Sequence, residues 1–178
     1  MLTSLRPEIL IARPLPIEFK YTKTKNAFSS KEWSRMREQS EKENDDRCWA
    51  CGIEKTKAAY HKRLEVHEIW EWNKKEIVFD KLCALCWMCH NYIHSDYILM
   101  FGFYGDNRVD NMFKHGFGVL KNANLKPLYN QVLNYLHFKG KSNEEALNLL
   151  IERGIEIPTR KKEPSYELII GEYKYASI

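Results

Sequence analysis

Three short stretches in the middle of the chain decide the fold: CWAC at residues 48–51, LEVHEI at residues 64–69 and CWMCHNYIH at residues 86–94. Together they place four thiols and three imidazoles in about a quarter of a chain of 178 residues. Thiolates and imidazoles are the ligands that zinc prefers in proteins. The three stretches therefore predict that bound metal organises this part of the fold.

Two Cys-x-x-Cys pairs predict a structural zinc site. The two-residue spacing lets both sulfurs of a pair point at one ion, and two pairs supply a closed tetrahedron. The predicted ligands are Cys48, Cys51, Cys86 and Cys89. Cys83 has the same spacing to Cys86, so this alternative pairing stays open. We favour Cys86 with Cys89, because they lead directly into a predicted helix, and we interpret Cys83 as a buried core thiol.

The rest of the composition suits an intracellular protein. The first residues show no secretory signal, so we expect reduced cysteines in a cytoplasmic setting, that of a phage or a bacterium included, rather than disulfides. No apolar run approaches the length that spans a bilayer, and we expect no membrane partner. The net charge of +4 is compatible with nucleic acid as a partner without establishing it.

Three histidines predict a second metal site. From about Trp87 the sequence predicts a helix, on which His90 and His94 lie one turn apart on the same face. Residues 66–69 predict a short strand that carries His67. A strand and a helix joined beside the zinc site would bring the three imidazoles together. The alternative is that each is an ordinary core or surface histidine.

The same stretches resemble the HNH nuclease family, which has a ββα-metal fold. A helix-like segment at residues 28–37 precedes them, and the resemblance spans about residues 28–94. It implies an α+β fold in which a zinc-stapled ββα-metal core carries an N-terminal helix and a helical C-terminal extension. It also implies an enzyme that hydrolyses DNA phosphodiester bonds with a catalytic divalent cation, Mg²⁺ or another, in addition to structural Zn²⁺.

The resemblance also implies a role for each site residue. His67, His90 and His94 would bind the catalytic cation. Glu68 stands where the family usually has a histidine that serves as general base, and it is either a base or a metal ligand. Lys81 stands near the place of the family's asparagine and would contact the DNA backbone.

Other residues near these positions are alternatives. Lys62 and Arg63 lie in a basic connection and are predicted DNA contacts, although the connection reads equally well as a surface hairpin. His61 is a reserve general base. Asp80 and Asn73 lie near the asparagine position without matching it.

The departures at Glu68 and Lys81 leave a second function open. The chain would then be a catalytically degenerate HNH-like zinc module that binds nucleic acid or a protein partner without cleavage. A third function, inhibition of a partner protein through residues 101–124, has no positive support in the sequence. Neither the oligomeric state nor the identity of a protein partner follows from the residues.

The chain divides into four predicted regions. Residues 1–27 form an extended arm, with an edge strand or an arm at residues 5–11, and residues 28–100 form the HNH-like core. A capping box at Ser29 and Glu32 begins a helix that is predicted to run to about Glu43. Residues 101–124 are predicted to be an irregular loop region, and residues 125–178 a helical hairpin followed by a strand.

Overall fold

The computed structural model describes residues 5–12, 15–16, 19, 23–73, 75–101, 105–155, 157–158 and 167–176. These residues form an α+β fold, which confirms the predicted class. The helices and strands, in chain order, are α1 (Ser30–Lys42), β1 (Glu65–Trp72), β2 (Glu76–Leu85), α2 (Trp87–Ile93), α3 (Ser95–Phe101), α4 (Asp106–Asn122), α5 (Tyr129–Phe138), α6 (Asn143–Glu152), β3 (Glu167–Ile170) and β4 (Tyr173–Ala176). Short 3-10 helices lie at Pro7–Ile11, Thr24–Ala27 and Lys55–Lys57.

The strands form one sheet in the order β1-β2-β3-β4. β1 and β2 form an antiparallel hairpin in which His67 lies opposite Cys83, and β3 runs parallel to β2. The strand predicted at residues 66–69 is thus part of a longer one. The single strand predicted near the C-terminus is a hairpin of β3 and β4, because Gly171 adopts a left-handed φ of +59° and turns the chain.

The N-terminal part of the chain meets one prediction and contradicts another. The capping box is confirmed: the Ser29 hydroxyl accepts from the Glu32 amide, and the Glu32 carboxylate accepts from the Ser29 amide. The predicted edge strand is wrong, because Pro7–Ile11 is a 3-10 helix that buries Ile9 and Leu10 in the main core. Lys20 and Tyr21, which the sequence suggests as contacts to a phosphate backbone, and the short basic run at residues 160–162 lie outside the described residues.

The prediction of an irregular loop at residues 101–124 is wrong over most of its length. α4 occupies Asp106–Asn122 and buries Val109, Met112, Phe113 and Leu120 along one face. The sequence did not predict this helix because it contains Gly116 and Gly118, and glycine disfavours a helix interior. Gly116 is required by packing, because a β-carbon there would overlap the ring of Tyr92 on α2. The close approach of α2 and α4 therefore depends on this glycine.

The helix predicted from about Trp87 is followed directly by a second helix, so this region of the chain contains two helices. His94 leaves the helical region with φ −96° and ψ 30°, which separates α2 from α3. The predicted helical hairpin is confirmed by α5 and α6, which share a small core of Val132, Leu136, Ala146 and Leu150.

The main core gathers buried side chains from the first cysteine turn, β2, α2 and α4. Trp87, Tyr92 and Phe113 are the largest side chains that are almost fully buried there. A smaller core joins Phe19 and Ile77 to Leu168 and Ile170 of β3. No helix in the described part of the chain is both long enough and apolar enough to cross a bilayer.

Candidate metal centres

The four predicted cysteines lie together. The sulfurs of Cys48, Cys51, Cys86 and Cys89 all lie within 4.8 Å of one another. A tetrahedron with zinc–sulfur bonds of about 2.3 Å has edges of about 3.8 Å. The sulfurs of Cys51 and Cys86 are 3.8 Å apart, so the donor set and its spacing fit a zinc ion. This group can hold a metal ion such as zinc.

Local backbone structure brings the two cysteine pairs to each other. The first pair lies in a tight turn, in which the Gly52 amide donates to the Cys48 carbonyl at 2.9 Å and Gly52 has a left-handed φ of +74°. The Trp49 amide donates to the Ala84 carbonyl of β2 at 2.9 Å. The second pair begins at Cys86, which caps the N-terminus of α2. The turn is thereby held against the start of α2.

The thiols interact strongly with one another. The Cys51, Cys86 and Cys89 thiols donate towards the Cys48 sulfur and hold the pKa of Cys48 well below its usual range. The pKa values of Cys86 and Cys89 are raised, because both thiols donate to Cys48 and Cys51 and because both are buried. A bound cation would stabilise the thiolate form of all four.

Cys83 stays apart from this group. It is fully buried in β2, and burial raises its pKa to about 12. Among the described residues, the cluster that can hold a metal contains Cys89 and not Cys83. The preferred pairing of Cys86 with Cys89, and the interpretation of Cys83 as a core thiol, agree with this placement.

The three predicted histidines form a second group. Ring nitrogens of His67, His90 and His94 all lie within 4.8 Å of one another. Nδ1 of His67 is 3.2 Å from Nε2 of His94. Metal–nitrogen bonds of about 2.1 Å give ligand separations of about 3.0 Å in octahedral geometry and about 3.4 Å in tetrahedral geometry. The group can therefore hold a cation.

The environment of His67 suits a metal ligand. Burial lowers the pKa of His67 well below its ordinary value of 6.5, and the neighbouring His94 and His90 lower it further. A neutral imidazole keeps a lone pair for a cation, whereas a protonated one does not. His67 is 9% exposed and His90 is 24% exposed, so the group opens to solvent on the side of α2.

Glu65 joins this group and was missed by the sequence reasoning. Its carboxylate oxygen Oε2 lies 2.9 Å from Nδ1 of His90, at ion-pair distance although not in the direction of a well-formed hydrogen bond. The contact with His90 lowers the pKa of Glu65. Glu65 precedes His67 by two residues on β1, so both side chains leave the same face of the strand. That spacing was the available signal.

Two predicted residues do not join the histidine group. Glu68 follows His67 directly on β1 without a bulge between them, so alternation directs its side chain to the opposite face. The ammonium group of Lys81 lies 5.3 Å from the centre of the Trp49 ring, beside the first cysteine turn. The proposed roles of Glu68 as base and of Lys81 as a DNA contact stay predictions.

His115 on α4 contacts the cysteine group. Its Nε2 lies 3.4 Å from the Cys89 sulfur. A thiolate can only accept, so Nε2–H of His115 would donate a hydrogen bond to a metal-bound Cys89, and such contacts commonly tune metal ligands. α4 therefore contacts the cysteine group as well as the core.

No family model, curated protein or solved structure matches the chain. The geometry of the two metal groups consequently carries the functional argument.

Proposed function

We propose that the protein is a divalent-metal-dependent endonuclease of HNH type that hydrolyses DNA phosphodiester bonds. The observation that carries the proposal is the convergence of His67, His90 and His94 at ligand distances from one another. The ligands come from the first strand of a hairpin and from the helix that follows it, which is the arrangement that the resemblance implies. The cysteine group adjoins it as the expected zinc staple.

The chain's own residues prepare the proposed site. Burial favours the neutral, ligand-competent form of His67, and the Glu65 carboxylate lies 2.9 Å from Nδ1 of His90. Three protein ligands leave coordination positions for substrate oxygens. A divalent cation held there supplies Lewis-acid polarisation of the phosphoryl group and stabilises the leaving oxygen.

Two residues are candidates for the general base. Glu68 is the base that the sequence proposes, although β1 directs it away from His67. His61 lies close enough to Glu65 to influence the pKa of that carboxyl. Glu68→Gln and His61→Gln, compared at equal metal occupancy, separate the two, because only loss of the base slows cleavage without changing metal affinity.

The test is cleavage of supercoiled plasmid by the zinc-loaded protein with Mg²⁺, Mn²⁺ or Ni²⁺, and with EDTA. Metal-dependent nicking is expected, and His90→Ala should abolish it. His137→Ala, at an exposed histidine of α5, is the matched control and should cleave normally. Far-UV circular dichroism and zinc content establish that each variant is folded. If folded, zinc-loaded protein fails to cleave with any of these cations, the proposed nuclease activity is excluded.

The placement of Glu68 on the opposite face favours a second candidate function. The protein would then be a degenerate HNH-like module that binds nucleic acid or a protein partner without hydrolysis. Retained DNA binding with no turnover under any cation would support this second function. Cleavage by the wild-type protein that His90→Ala abolishes would exclude it.

A further inference from the structure

Tyr60 adopts a backbone conformation that bulky residues rarely take. Its φ is +66°, in the left-handed region, with none of the local hydrogen-bonding benefit that asparagine or aspartate gains there. Such strain persists where surrounding contacts enforce it, and it concentrates at functional sites. Here the contacts are the Trp87 ring at 4.8 Å between centroids and the Asn111 amide at 3.4 Å from the Tyr60 hydroxyl.

The side chain of Arg108 stacks on the ring of Tyr60. The guanidinium carbon of Arg108 lies 5.0 Å from the centre of the Tyr60 ring. Arg108 is exposed in the first turn of α4, where a positive charge is unfavourable for the helix. Within the described part of the chain it forms no ion pair. Helix stability therefore does not explain this arginine, and stacking on Tyr60 fixes its position.

A series of side-chain contacts connects this arginine to the helix that carries His90. Trp87, which contacts Tyr60, precedes His90 by three residues on α2, so the two are neighbours on the helix surface. From the same connection as Tyr60, Arg63 acts electrostatically on Glu65, which contacts His90. Arg63 is exposed and has no ion-pair partner among the residues that the structure describes. Two guanidinium groups, neither of them ion-paired among the residues that the structure describes, are thus connected to the candidate site by these contacts.

We propose that Arg108, held in place by Tyr60, and Arg63 bind phosphates of the DNA backbone next to the bond that is cleaved. This inference rests on the proposed function and assigns it a substrate-binding surface. Planar guanidinium groups match phosphate oxygens in bidentate pairs, and a preorganised one loses less entropy on binding. Such contacts position the duplex without reading its sequence.

The first test is the salt dependence of DNA binding. The full chain, zinc-loaded and without added divalent cation, is titrated onto a fluorescein-labelled DNA duplex, and anisotropy gives the affinity over a series of salt concentrations. Each lost phosphate contact lowers the slope of log affinity against log salt by about 0.9. Arg108→Gln and Arg63→Gln should each produce this decrease. Arg153→Gln, an exposed arginine that ends α6, is the matched control and should leave the slope unchanged.

The second test asks whether Tyr60 acts through Arg108. Tyr60→Asn removes the ring and places a residue that tolerates the left-handed conformation. It should weaken DNA binding severalfold when Arg108 is present and have no further effect in the Arg108→Gln background. Equal effects in both backgrounds would show that Tyr60 does not position Arg108 and would overturn that assignment.

The binding result and the cleavage result are independent. Unchanged salt slopes in both Arg108→Gln and Arg63→Gln would overturn the surface, and plasmid cleavage by the same proteins would leave the nuclease intact. If the variants reduce the salt slope of DNA binding but the wild-type protein cleaves DNA with none of the cations, the phosphate-binding surface is supported and the proposed nuclease activity is excluded.

Discussion

Glu65 is a carboxylate that we expect to change the metal affinity of the histidine group. Its Oε2 lies 2.9 Å from Nδ1 of His90, and a hydrogen bond from Nδ1 would leave Nε2 of the ring available to a cation. Outer contacts of this kind commonly change metal affinity by a factor of about 10–100. We therefore expect Glu65→Gln to weaken binding of Co²⁺ or Ni²⁺ at the histidine group by that factor, measured by titration calorimetry of the zinc-loaded protein. Glu71→Gln, at an exposed position of the same strand, should bind normally; equal affinities for the two variants would contradict the role.

His67 should make stability depend on pH in a defined direction. Its pKa in the folded protein is well below 6.5, because of burial first and then of His94 and His90. Below pH 6.5 the unfolded chain gains a proton on this ring that the folded protein does not take up, so the free energy of unfolding falls as the pH falls. The contribution of His67 is complete above pH 6.5. NMR titration of the ring should show it neutral at pH 6, and a midpoint at or above 6.5 would contradict this.

Spacing predicted the ligand residues but not all of their neighbours. Cysteines three residues apart and histidines four residues apart can be recognised directly, because a turn and a helix determine what such pairs can reach. Glu65 required its face on β1 to be compared with that of His67. The direction of Glu68 depends on an unbroken strand register across Leu82 and Cys83, which the residue pattern alone does not establish.

At the scale of the element, two glycines in α4 make a matched pair. A β-carbon at Gly116 would overlap the Tyr92 ring, whereas one at Gly118 meets no atom within 4 Å. Gly116→Ala should lower the free energy of unfolding by about 1–3 kcal/mol through overpacking. Gly118→Ala should raise it by up to about 1 kcal/mol, because alanine favours the helix. Urea unfolding of both variants provides the measurement, and destabilisation of the same size in both would contradict the packing account.

α4 also shows why this element escaped prediction. Its apolar side chains have helical spacing, but the two glycines lower the local propensity, and the flanking residues look like a loop. The buried ring of Tyr92 makes Gly116 necessary, and that ring belongs to another helix. Tertiary packing therefore overrides the local signal, whereas the capped helices α1 and α6 carry their start signals within four residues.

For the whole molecule, zinc should be required for folding. The cysteine group joins the turn at residues 48–51 to the start of α2, and both contribute to the main core. Structural zinc sites have apparent binding free energies of about 10–16 kcal/mol, as large as the whole stability of a typical domain, about 5–15 kcal/mol. Chelation should therefore abolish the near-UV circular dichroism of the protein, and zinc should restore it. Chelated protein that keeps its tertiary signal would show that the apolar core suffices.

The fold as a whole was only partly readable from the chain. The α+β class and the helical hairpin follow from local patterns, which need no knowledge of distant partners. The parallel pairing of Glu76–Val78 with Glu167–Ile169 joins segments some ninety residues apart, and no local pattern specifies such a pairing.

Cys89 and His90 are consecutive residues of α2, so the two metal groups share this helix. An ion bound at the cysteines would fix the first turn of this helix and with it the direction of the His90 ring. Thermodynamic reciprocity then requires the second ion to tighten the first by the same factor. The affinity of the histidine group for its cation would consequently depend on zinc at the cysteines. Scarcity of zinc would then lower occupancy of the histidine group even where magnesium is abundant.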